Sequence, residues 1–396
     1  MPCKKIAHVI TESLPFGGAQ RNTLLTLQGL VGAGYEAELV CGTEGPMVQA
    51  MQEIGAPAHL IPELVRPLAP FKDCQAFFRL CRLFRSRRYD IVHTHSVKAG
   101  LLGRLAAWWT GVPVVVHTLH GVPFEINGDL RSRFYLVMER SLGAITHCFV
   151  CVGEALRQEM LGWKIAPDAK LTTIYSGIDF SSYMPQRTIL ETKRELGLED
   201  AWPIVGCVGR LSEQKAQHDL VEAIAPLTGK YPHIKLLLVG NGELRPLVES
   251  KMQSLGLSRN VSLLGERDDI ADLLNVFDLY AMSSRWEGVG RALTEAMYWG
   301  LPVVATSVNG VTELIRDHDT GLLVPPGDPQ ALAAAIDQVA SDPELARRLG
   351  RNARQRAEEL MNGRQMVLAI EELYQRLTVH PLSIPAAANG KAGSGG

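Results

Sequence analysis

Glu287 and Glu295 lie in the segment whose residue types most clearly predict a ligand-binding site. Glu287 and Glu295 belong to residues 283–297, SSRWEGVGRALTEAM, in which a predicted strand ends, a loop with Gly288 and Gly290 follows, and a helix begins. Glycines let a ligand approach the backbone closely, and the amides at a helix N-terminus favour a phosphate group. Since a carboxylate accepts hydrogen bonds from sugar hydroxyls, the segment suits a ligand with both sugar and phosphate. An acidic residue that complements the helix dipole, followed by a solvated glutamate, explains the spacing equally well.

A pair of cations forms the second candidate site. Arg210 and Lys215 lie in residues 208–217, VGRLSEQKAQ, on a predicted turn between a strand and a helix. Two cations beside a strand end can neutralise a diphosphate, and an arginine can bind it through two nitrogens. Ordinary surface charge near a helix start is the alternative.

A glycine pair, Gly17 and Gly18, follows the first predicted strand and precedes a helix in residues 12–22, ESLPFGGAQRN. This order permits close approach of a phosphate, although it is weaker than a full dinucleotide-binding fingerprint. A plain tight turn accounts for the pair equally well.

Polar side chains end two further predicted strands, in residues 90–100 (DIVHTHSVKAG) and 114–124 (VVVHTLHGVPF). They are His93, His95, Ser96, Lys98, His117 and His120. An imidazole in a cleft can hydrogen-bond a sugar hydroxyl, a role that suits His120, whereas His117 is expected to be a buried histidine with internal partners. Four histidines at two strand ends raise the question of a metal. Because Asp or Glu does not occur there at matching ligand spacing, we expect none.

The elements that position these residues alternate along the chain. The predicted strands are 6–10, 38–41, 90–93, 114–117, 145–152 and 171–175, then 204–208, 234–239, 261–264, 279–282, 303–305 and 321–324. Amphipathic helical patterns such as 20–31, 219–227 and 330–339 lie between them. Buried strands that alternate with helices predict an α/β protein with parallel sheets in two Rossmann-like halves, divided within 176–202. Ligands bind such folds at the carboxyl ends of the strands, so the cleft between the halves is the expected active site.

Composition narrows the class of protein. The 396 residues carry a net charge of −2, which gives no general attraction to nucleic acid. Seven cysteines, an odd number, are typical of a reducing cytoplasm. Neither a signal peptide nor an apolar run long enough for a transmembrane helix is apparent. The stretch 79–88, rich in arginine and phenylalanine, predicts either contact with an anionic membrane or an ordinary amphipathic helix with a basic outer face.

These pieces, in this order, resemble the family 4 glycosyltransferases, which have the GT-B architecture of two facing Rossmann-like domains. The resemblance covers about residues 4–378. Its most specific part is 287–328, where EGVGRALTEAM, GLPVVATSVNGVTELI and TGLLVPPGD are similar to the family's donor signature of two glutamates with seven residues between them, and to the loop that follows. One departure is Asn309–Gly310, where the family often has two glycines, and this puts the identity of the donor sugar in doubt.

The resemblance implies roles for individual residues. The catalytic candidates are His120, Arg210, Lys215 and Glu287, with Glu287 on the donor sugar and the two cations on the diphosphate. The donor-binding candidates are Gly17, Gly18, Gly240, Asn241, Gly242, Glu266, Arg267, Gly288, Val289, Gly290, Arg291 and Glu295, the last on the ribose. The acceptor-side candidates are His95, Ser96 and Lys98.

The resemblance also implies the domain plan: an acceptor-side domain at 1–178, a donor domain at 200–361 and a helix at 362–378 that packs back on the first domain. A disordered tail is expected at 381–396.

The implied activity is a retaining, metal-independent transfer of a hexose or N-acetylhexosamine from a nucleotide diphosphate sugar, with UDP favoured over GDP, and no cofactor. The implied acceptor is a lipid-linked or growing polysaccharide of the cell surface, at the cytoplasmic side, with peripheral contact to an anionic membrane and no nucleic acid. A nucleotide-sugar epimerase of the same architecture and a transferase for a small soluble acceptor are the alternatives.

Overall fold

A computed structural model describes residues 4–14, 17–121, 128–180, 184–288, 290–379 and 384. The chain divides into two compact units. The first consists of Met1–Ile178 together with Gly363–Gly396, and the second of Asp179–Asn362. The segment expected to form a disordered tail lies outside the described residues apart from Ile384.

The first unit is built on a sheet of seven parallel strands. The strands are β1 (Lys5–Val9), β2 (Glu36–Cys41), β3 (Ala58–Leu60), β4 (Ile91–His95), β5 (Val114–Leu119), β6 (Cys148–Cys151) and β7 (Leu171–Thr173). Between them lie α1 (Gly18–Gly32), α2 (Pro46–Glu53), α3 (Pro70–Arg87), α4 (Val97–Thr110), α5 (Leu130–Ala144) and α6 (Glu154–Gly162). The strands lie in the order β3-β2-β1-β4-β5-β6-β7, so the winding reverses between β1 and β4.

The second unit repeats this plan with six parallel strands. They are β8 (Ile204–Val208), β9 (Lys235–Val239), β10 (Val261–Gly265), β11 (Leu279–Met282), β12 (Val303–Thr306) and β13 (Leu322–Val324). Its helices are α7 (Ile189–Leu196), α8 (Gln217–Ile224), α9 (Arg245–Ser254), α10 (Ile270–Leu274), α11 (Arg291–Tyr298), α12 (Val311–Leu314), α13 (Pro329–Ser341) and α14 (Pro343–Leu360). The order β10-β9-β8-β11-β12-β13 reverses between β8 and β11, and ligands of open α/β sheets bind at such reversals.

The last helix, α15 (Gly363–Val379), belongs to the first unit. Tyr374 and other apolar residues of α15 share one core with Ile6 of β1 and Leu27 of α1. The next residue of β1, Ala7, lies in a different core with Leu80 of α3. Successive residues of a strand point to opposite faces of the sheet, so both faces of this sheet are covered by helices.

The predicted fold class is confirmed, since both units are Rossmann-like with parallel sheets. Every strand that the sequence predicts is present, although several strand ends differ by a few residues. The short strand β3 (Ala58–Leu60) was not predicted; it lies at the sheet edge, and its residues are half-buried or exposed. Among the described residues, every helix is too short or too polar to cross a membrane.

A buried ion pair between α4 and α5 gives a test of the first unit. Arg104 Nη2 lies 2.9 Å from both carboxylate oxygens of Glu139, and both side chains are fully buried. We expect Glu139→Ala to lower the free energy of unfolding by about 3–5 kcal/mol, because it leaves a buried guanidinium without its counter-ion. Urea unfolding followed by circular dichroism measures this loss.

The double variant Arg104→Met/Glu139→Leu is the control. It removes both charges and keeps the volume apolar, so most of the lost stability should return. A double variant as unstable as Glu139→Ala would contradict this interpretation.

Candidate active site

The loops that follow β8 and β11 meet through an ion pair between Lys215 and Glu287. These strands are neighbours in the sheet, so their carboxyl ends lie side by side. Lys215 Nζ contacts Glu287 Oε1, and the Ser284 hydroxyl donates a hydrogen bond of 2.7 Å to the same oxygen. Two of the predicted catalytic residues are therefore in direct contact at the point where the winding of the sheet reverses.

Further hydrogen bonds join the same two loops. Ser283 Oγ donates to the carbonyl oxygen of Lys215 at 2.9 Å, and Gln214 Nε2 donates to the carbonyl oxygen of Trp286 at 2.9 Å. The amide of Arg285 donates to the carbonyl oxygen of Gln214 at 2.7 Å. Sequence reasoning missed these supporting side chains, although the polar residues that flank Lys215 and Glu287 were a usable signal.

Arg210 has a different ion-pair partner. Its side chain is 62% exposed, and its guanidinium forms an ion pair of 2.9 Å with Glu243. The carbonyl oxygen of Arg210 accepts a hydrogen bond of 2.9 Å from Gln217 Nε2, which holds the backbone of the loop. Because an exposed ion pair contributes at most about 1 kcal/mol, this side chain can exchange Glu243 for another anion at little cost.

The loop of Gly240, Asn241 and Gly242 packs against the backbone that follows β8. A Cβ atom on Gly240 would lie 2.2 Å from the carbonyl oxygen of Gly209, and one on Gly242 would lie 2.2 Å from that of Leu211. The amide of Leu211 donates to the carbonyl oxygen of Asn241 at 3.1 Å. The two glycines are thus required by this loop contact, and a role in donor binding stays a prediction.

Two further donor-binding candidates, Glu266 and Arg267, have different surroundings from each other. Arg267 Nε lies 2.7 Å from Asp269 Oδ1, and Arg267 Nη2 lies 3.1 Å from Glu195 Oε1. Glu266 is exposed. The structure thus places Arg267 in a network of ion pairs, while its contact with a donor stays a prediction.

Helix α11 carries the second glutamate of the signature. Gly290 is the N-cap residue, and within the helix Arg291 Nε lies 2.9 Å from Glu295 Oε1. Glu295 is only 6% exposed, so the alternative interpretation of a solvated helix glutamate is wrong for this residue. Val289 lies outside the described residues, whereas Gly288 is described and partly buried.

Gly310 fits closely beneath the Glu287 loop. Its φ is +77°, and a Cβ atom at this position would lie 1.8 Å from the carbonyl oxygen of Gly288. The second residue of the Asn309–Gly310 pair therefore has a geometric requirement for glycine.

In the first unit, the acceptor-side candidates lie at the end of β4 and directly after it. His95 is the last residue of that strand, and Ser96 has a φ of +63° and a ψ of 162°, a conformation that costs a non-glycine residue about 1–3 kcal/mol. Ser96 Oγ lies 2.7 Å from Thr11 Oγ1, in the segment after β1. Lys98 forms an ion pair of 2.7 Å with Asp73, and its contact with an acceptor stays a prediction.

Gly17 and Gly18 begin helix α1, which follows the first strand. Gly17 is the N-cap residue and Gly18 the first helical residue, and the cap has no side-chain hydrogen bond. The amide of Arg21 donates to the carbonyl oxygen of Gly17 at 3.0 Å. The helix thus begins two residues before the predicted pattern of 20–31 and includes Gly18, and the contact of the glycine pair with a phosphate or acceptor stays a prediction.

The histidines at the ends of β4 and β5 separate into two groups. His117 Nδ1 lies 2.8 Å from Thr94 Oγ1 on one face of the sheet, which confirms it as a buried histidine with internal partners. His120 Nε2 lies 3.1 Å from His95 Nδ1 on the other. Burial lowers the pKa of His120 to about 4, so its ring is neutral near pH 7.

His8 was missed by the sequence analysis and lies beside His93 and His95. The ring nitrogens that these three buried histidines offer lie within 4.8 Å of one another. His8 lies two residues after Ile6 in β1 and therefore on the same face of the sheet. This position in the sequence was the signal that could have identified His8. The expectation that the protein binds no metal stays a prediction.

Two family models match the chain. Residues 17–177 match "Glycosyl transferase 4-like domain", and residues 189–356 match "Glycosyl transferases group 1".

Relatives and solved structures extend this match to nearly the whole chain. A UDP-Gal:alpha-D-GlcNAc-diphosphoundecaprenol alpha-1,3-galactosyltransferase of Escherichia coli is 30% identical over 381 residues, which cover 95% of this chain and 98% of that protein. The capsular polysaccharide biosynthesis glycosyltransferase CapM of Staphylococcus aureus is 26% identical over 94% of this chain and 97% of its own length. The structure of Anabaena Alr3699/HepE in complex with UDP and glucose superposes with a TM-score of 0.83 at 23% identity, covering 94% of this chain and 100% of that one.

Gly310 and Gly256 offer a matched test of the close contact beneath the Glu287 loop. Their φ angles are similar, +77° and +67°, but a Cβ atom on Gly256 would meet no atom within 4 Å. Gly256→Ala should therefore cost only the left-handed strain of about 1–2 kcal/mol. Gly310→Ala should cost about 1–3 kcal/mol more, because the new methyl group collides with the carbonyl of Gly288 and because the ψ of −37° places residue 310 outside the left-handed region. Urea unfolding measures both losses, and equal losses would show that the loop moves aside freely.

Proposed function

The chain belongs to the group 1 glycosyl transferases, the family 4 enzymes with the GT-B fold, and on that premise we propose that it is a retaining, metal-independent transferase for a UDP-sugar donor. The sugar is a hexose or an N-acetylhexosamine, and the acceptor is a lipid-linked or growing polysaccharide. The observation that carries the proposal is the Lys215–Glu287 pair at the strand reversal of the second unit.

The charges around this pair suit a sugar diphosphate. Lys215 and the exposed Arg210 supply positive charge for the two phosphates, and the first amides of α11 add hydrogen-bond donors. Glu287 accepts hydrogen bonds from hydroxyls of the donor sugar, and the buried Glu295 accepts those of the ribose.

The proposed reaction needs stabilisation mainly where charge develops on the leaving group. The bond between the anomeric carbon and the phosphate oxygen breaks, and the acceptor oxygen bonds to that carbon from the same face. The acceptor's proton passes to the phosphate oxygen that leaves. Lys215 and Arg210 stabilise the departing diphosphate from fixed positions, the kind of electrostatic effect that often dominates enzyme catalysis.

The choice of donor and acceptor rests on the relatives. The Escherichia coli protein is named for a UDP-sugar donor and a diphosphoundecaprenol-linked acceptor, and CapM for capsular polysaccharide biosynthesis. We assign the same classes of substrate to this chain, and we place it in the cytoplasm at the inner face of the membrane.

Helix α3 supports peripheral contact with an anionic membrane. Phe71 is 90% exposed and Phe78 is 68% exposed, and the exposed Arg82 and Arg85 lie on the same helix. Apolar rings flanked by cations are typical of helices that lie at a lipid surface. Arg87 does not contribute, because it forms an ion pair with the buried Glu38.

Transfer assays with defined donors and acceptors test the proposal. The purified protein is incubated with UDP-, GDP- and ADP-sugars and with either a polyprenyl-diphosphate-linked sugar or a small soluble acceptor. We expect a product from a UDP-sugar and the lipid-linked acceptor, unchanged rates in EDTA, and retained anomeric configuration by NMR. A new nucleotide-sugar formed without acceptor would identify an epimerase, and an inverted linkage would refute retention. Transfer to the small acceptor alone would reject the lipid-linked assignment.

Substitutions at the ion pair test the site. We expect Lys215→Ala and Glu287→Ala each to lower kcat by about 10²–10³, the loss typical of a missing group that stabilises developing charge. Arg210→Ala should lower transfer in the same direction. Lys230→Ala is the matched control, since Lys230 forms an exposed ion pair with Asp337 in the same unit and should keep wild-type rates. Near-wild-type rates in both Lys215→Ala and Glu287→Ala would reject the site.

A further inference from the structure

Four histidines and one tyrosine of the first unit form a continuous series of hydrogen-bonding contacts. His93 Nδ1 lies 2.5 Å from Tyr374 Oη, which lies 3.1 Å from His8 Nε2. His8 Nδ1 lies 2.9 Å from His95 Nε2, and His95 Nδ1 lies 3.1 Å from His120 Nε2. The inner end of the series is closed by Thr118 Oγ1, 2.6 Å from His93 Nε2. We call this series the histidine chain.

Strand register and helix α15 bring the histidine chain together. His8 of β1 is the register partner of His93 of β4, and His95 is the register partner of Thr118 of β5. All of them point to the sheet face that α15 covers, because they alternate with residues of the opposite face. Tyr374 reaches them from α15, 366 residues along the chain from His8.

The four imidazole rings of the histidine chain are neutral. Burial lowers the pKa of His8 to about 3 and of His120 to about 4, and the pKa values of His93 and His95 lie well below 6.5 for the same reason. Burial also raises the pKa of Tyr374, so its hydroxyl keeps its proton. A neutral imidazole has one N–H donor and one acceptor nitrogen, so each contact of the chain holds one proton.

The Tyr374 hydroxyl is fully buried, so it must donate its own proton to one of its two histidine neighbours. Only two arrangements of protons then remain. If His93 donates from Nδ1, then Tyr374 donates to His8, His8 donates to His95, and His95 donates to His120, each histidine from its Nδ1. In the other arrangement every histidine donates from Nε2 and every bond points the opposite way. The four histidines must therefore all have the same tautomer.

We infer that the histidine chain couples the tautomer of His120 to those of His8, His93 and His95, so that His8, His95 and Tyr374 are positioning residues for His120. The Nδ1 atom of His120, which is not used by the chain, is a donor in one arrangement and an acceptor in the other. This inference rests on the proposed function and on the sequence-based prediction that His120 hydrogen-bonds a sugar hydroxyl. A sugar hydroxyl or the acceptor then meets a ring whose hydrogen-bonding character is set together with that of the buried histidines.

A metal ion would compete for the same atoms. His8, His93 and His95 could each offer a nitrogen to one cation, but every ring nitrogen of the three already has a partner in the hydrogen-bonded series. A divalent cation would also place its charge among neutral side chains in a buried site, which is costly. Metal content therefore enters the test as an outcome that contradicts the chain.

Nitrogen-15 NMR of the whole protein reports the histidine tautomers directly. The protein is labelled with nitrogen-15 at its histidines and is measured without donor or acceptor. We expect His8, His93, His95 and His120 all to be neutral and to share one tautomer. A mixture of tautomers among the four would overturn the inference, as would a stoichiometric metal ion bound to them in the purified protein.

Two substitutions cut the chain without touching His120. Tyr374→Phe removes the hydroxyl between His93 and His8, and His8→Leu removes the next member, in case either variant folds poorly. We expect both tautomers of His120 to appear once the chain is cut. Tyr89→Phe is the matched control, because it removes another buried, hydrogen-bonded tyrosine hydroxyl of the first unit, here bonded to Glu38. A single wild-type tautomer of His120 in both cut variants would overturn the inference.

Steady-state kinetics give the functional measurement. We expect Tyr374→Phe to lower kcat by between about twofold and tenfold, because this is the factor that corresponds to the free energy of one net hydrogen bond. The KM for the donor should be unchanged. Tyr89→Phe should keep the wild-type kcat, and equal losses in the two variants would overturn the functional part of the inference. If the wild type transfers no sugar from any donor, the proposed function fails while the tautomer measurement still decides whether the chain exists.

Discussion

The ion pair between Lys215 and Glu287 links the loops that follow neighbouring strands, and the geometry of the proposed donor site depends on it. Charges that are largely removed from water are costly unless they are paired and hydrogen-bonded. The Ser284 hydroxyl provides one such additional hydrogen bond, to the carboxylate of Glu287. The pair therefore sets the position of the Glu287 loop directly before α11, and with it the start of the helix that carries Glu295. A diphosphate that enters this site meets a cation already held in place.

The fold was largely predictable from sequence, because parallel strands covered on both faces require uninterrupted apolar, β-branched runs. Residues 204–208 are such a run and residues 279–282 are apolar throughout, and the structure has strands with the same bounds. Strand β3 could not be found in this way, since Ala58–Leu60 is short and lies at an edge where only one neighbour constrains it. The ends of several other strands also shifted, because local hydrogen bonds rather than the apolar pattern decide where a strand stops.

The candidate site was predictable only where residues follow a strand directly. Lys215 and Glu287 could be placed because the loops after neighbouring strands meet at one edge of a sheet. Glu243, the ion-pair partner of Arg210, could not be predicted. Alternative ion pairs of an exposed side chain differ in free energy by less than about 1 kcal/mol, so the sequence does not show which one forms. The association of His8 with Tyr374 was equally hidden, because it depends on how a helix at the end of the chain packs on the first strand.

The two units use polar side chains in opposite ways, and the proposed reaction explains the difference. In the second unit, Lys215 and Arg210 present full charges, which suit a diphosphate that gains negative charge as it leaves. In the first unit, burial keeps His120 and its neighbours neutral. In the proposed reaction the sugar gains positive charge as the diphosphate leaves, so a protonated imidazole as its hydrogen-bonding partner would raise the barrier, whereas a neutral ring still forms a hydrogen bond. A buried series of neutral partners supplies that ring, since it satisfies His120 with a hydrogen bond and brings no charge.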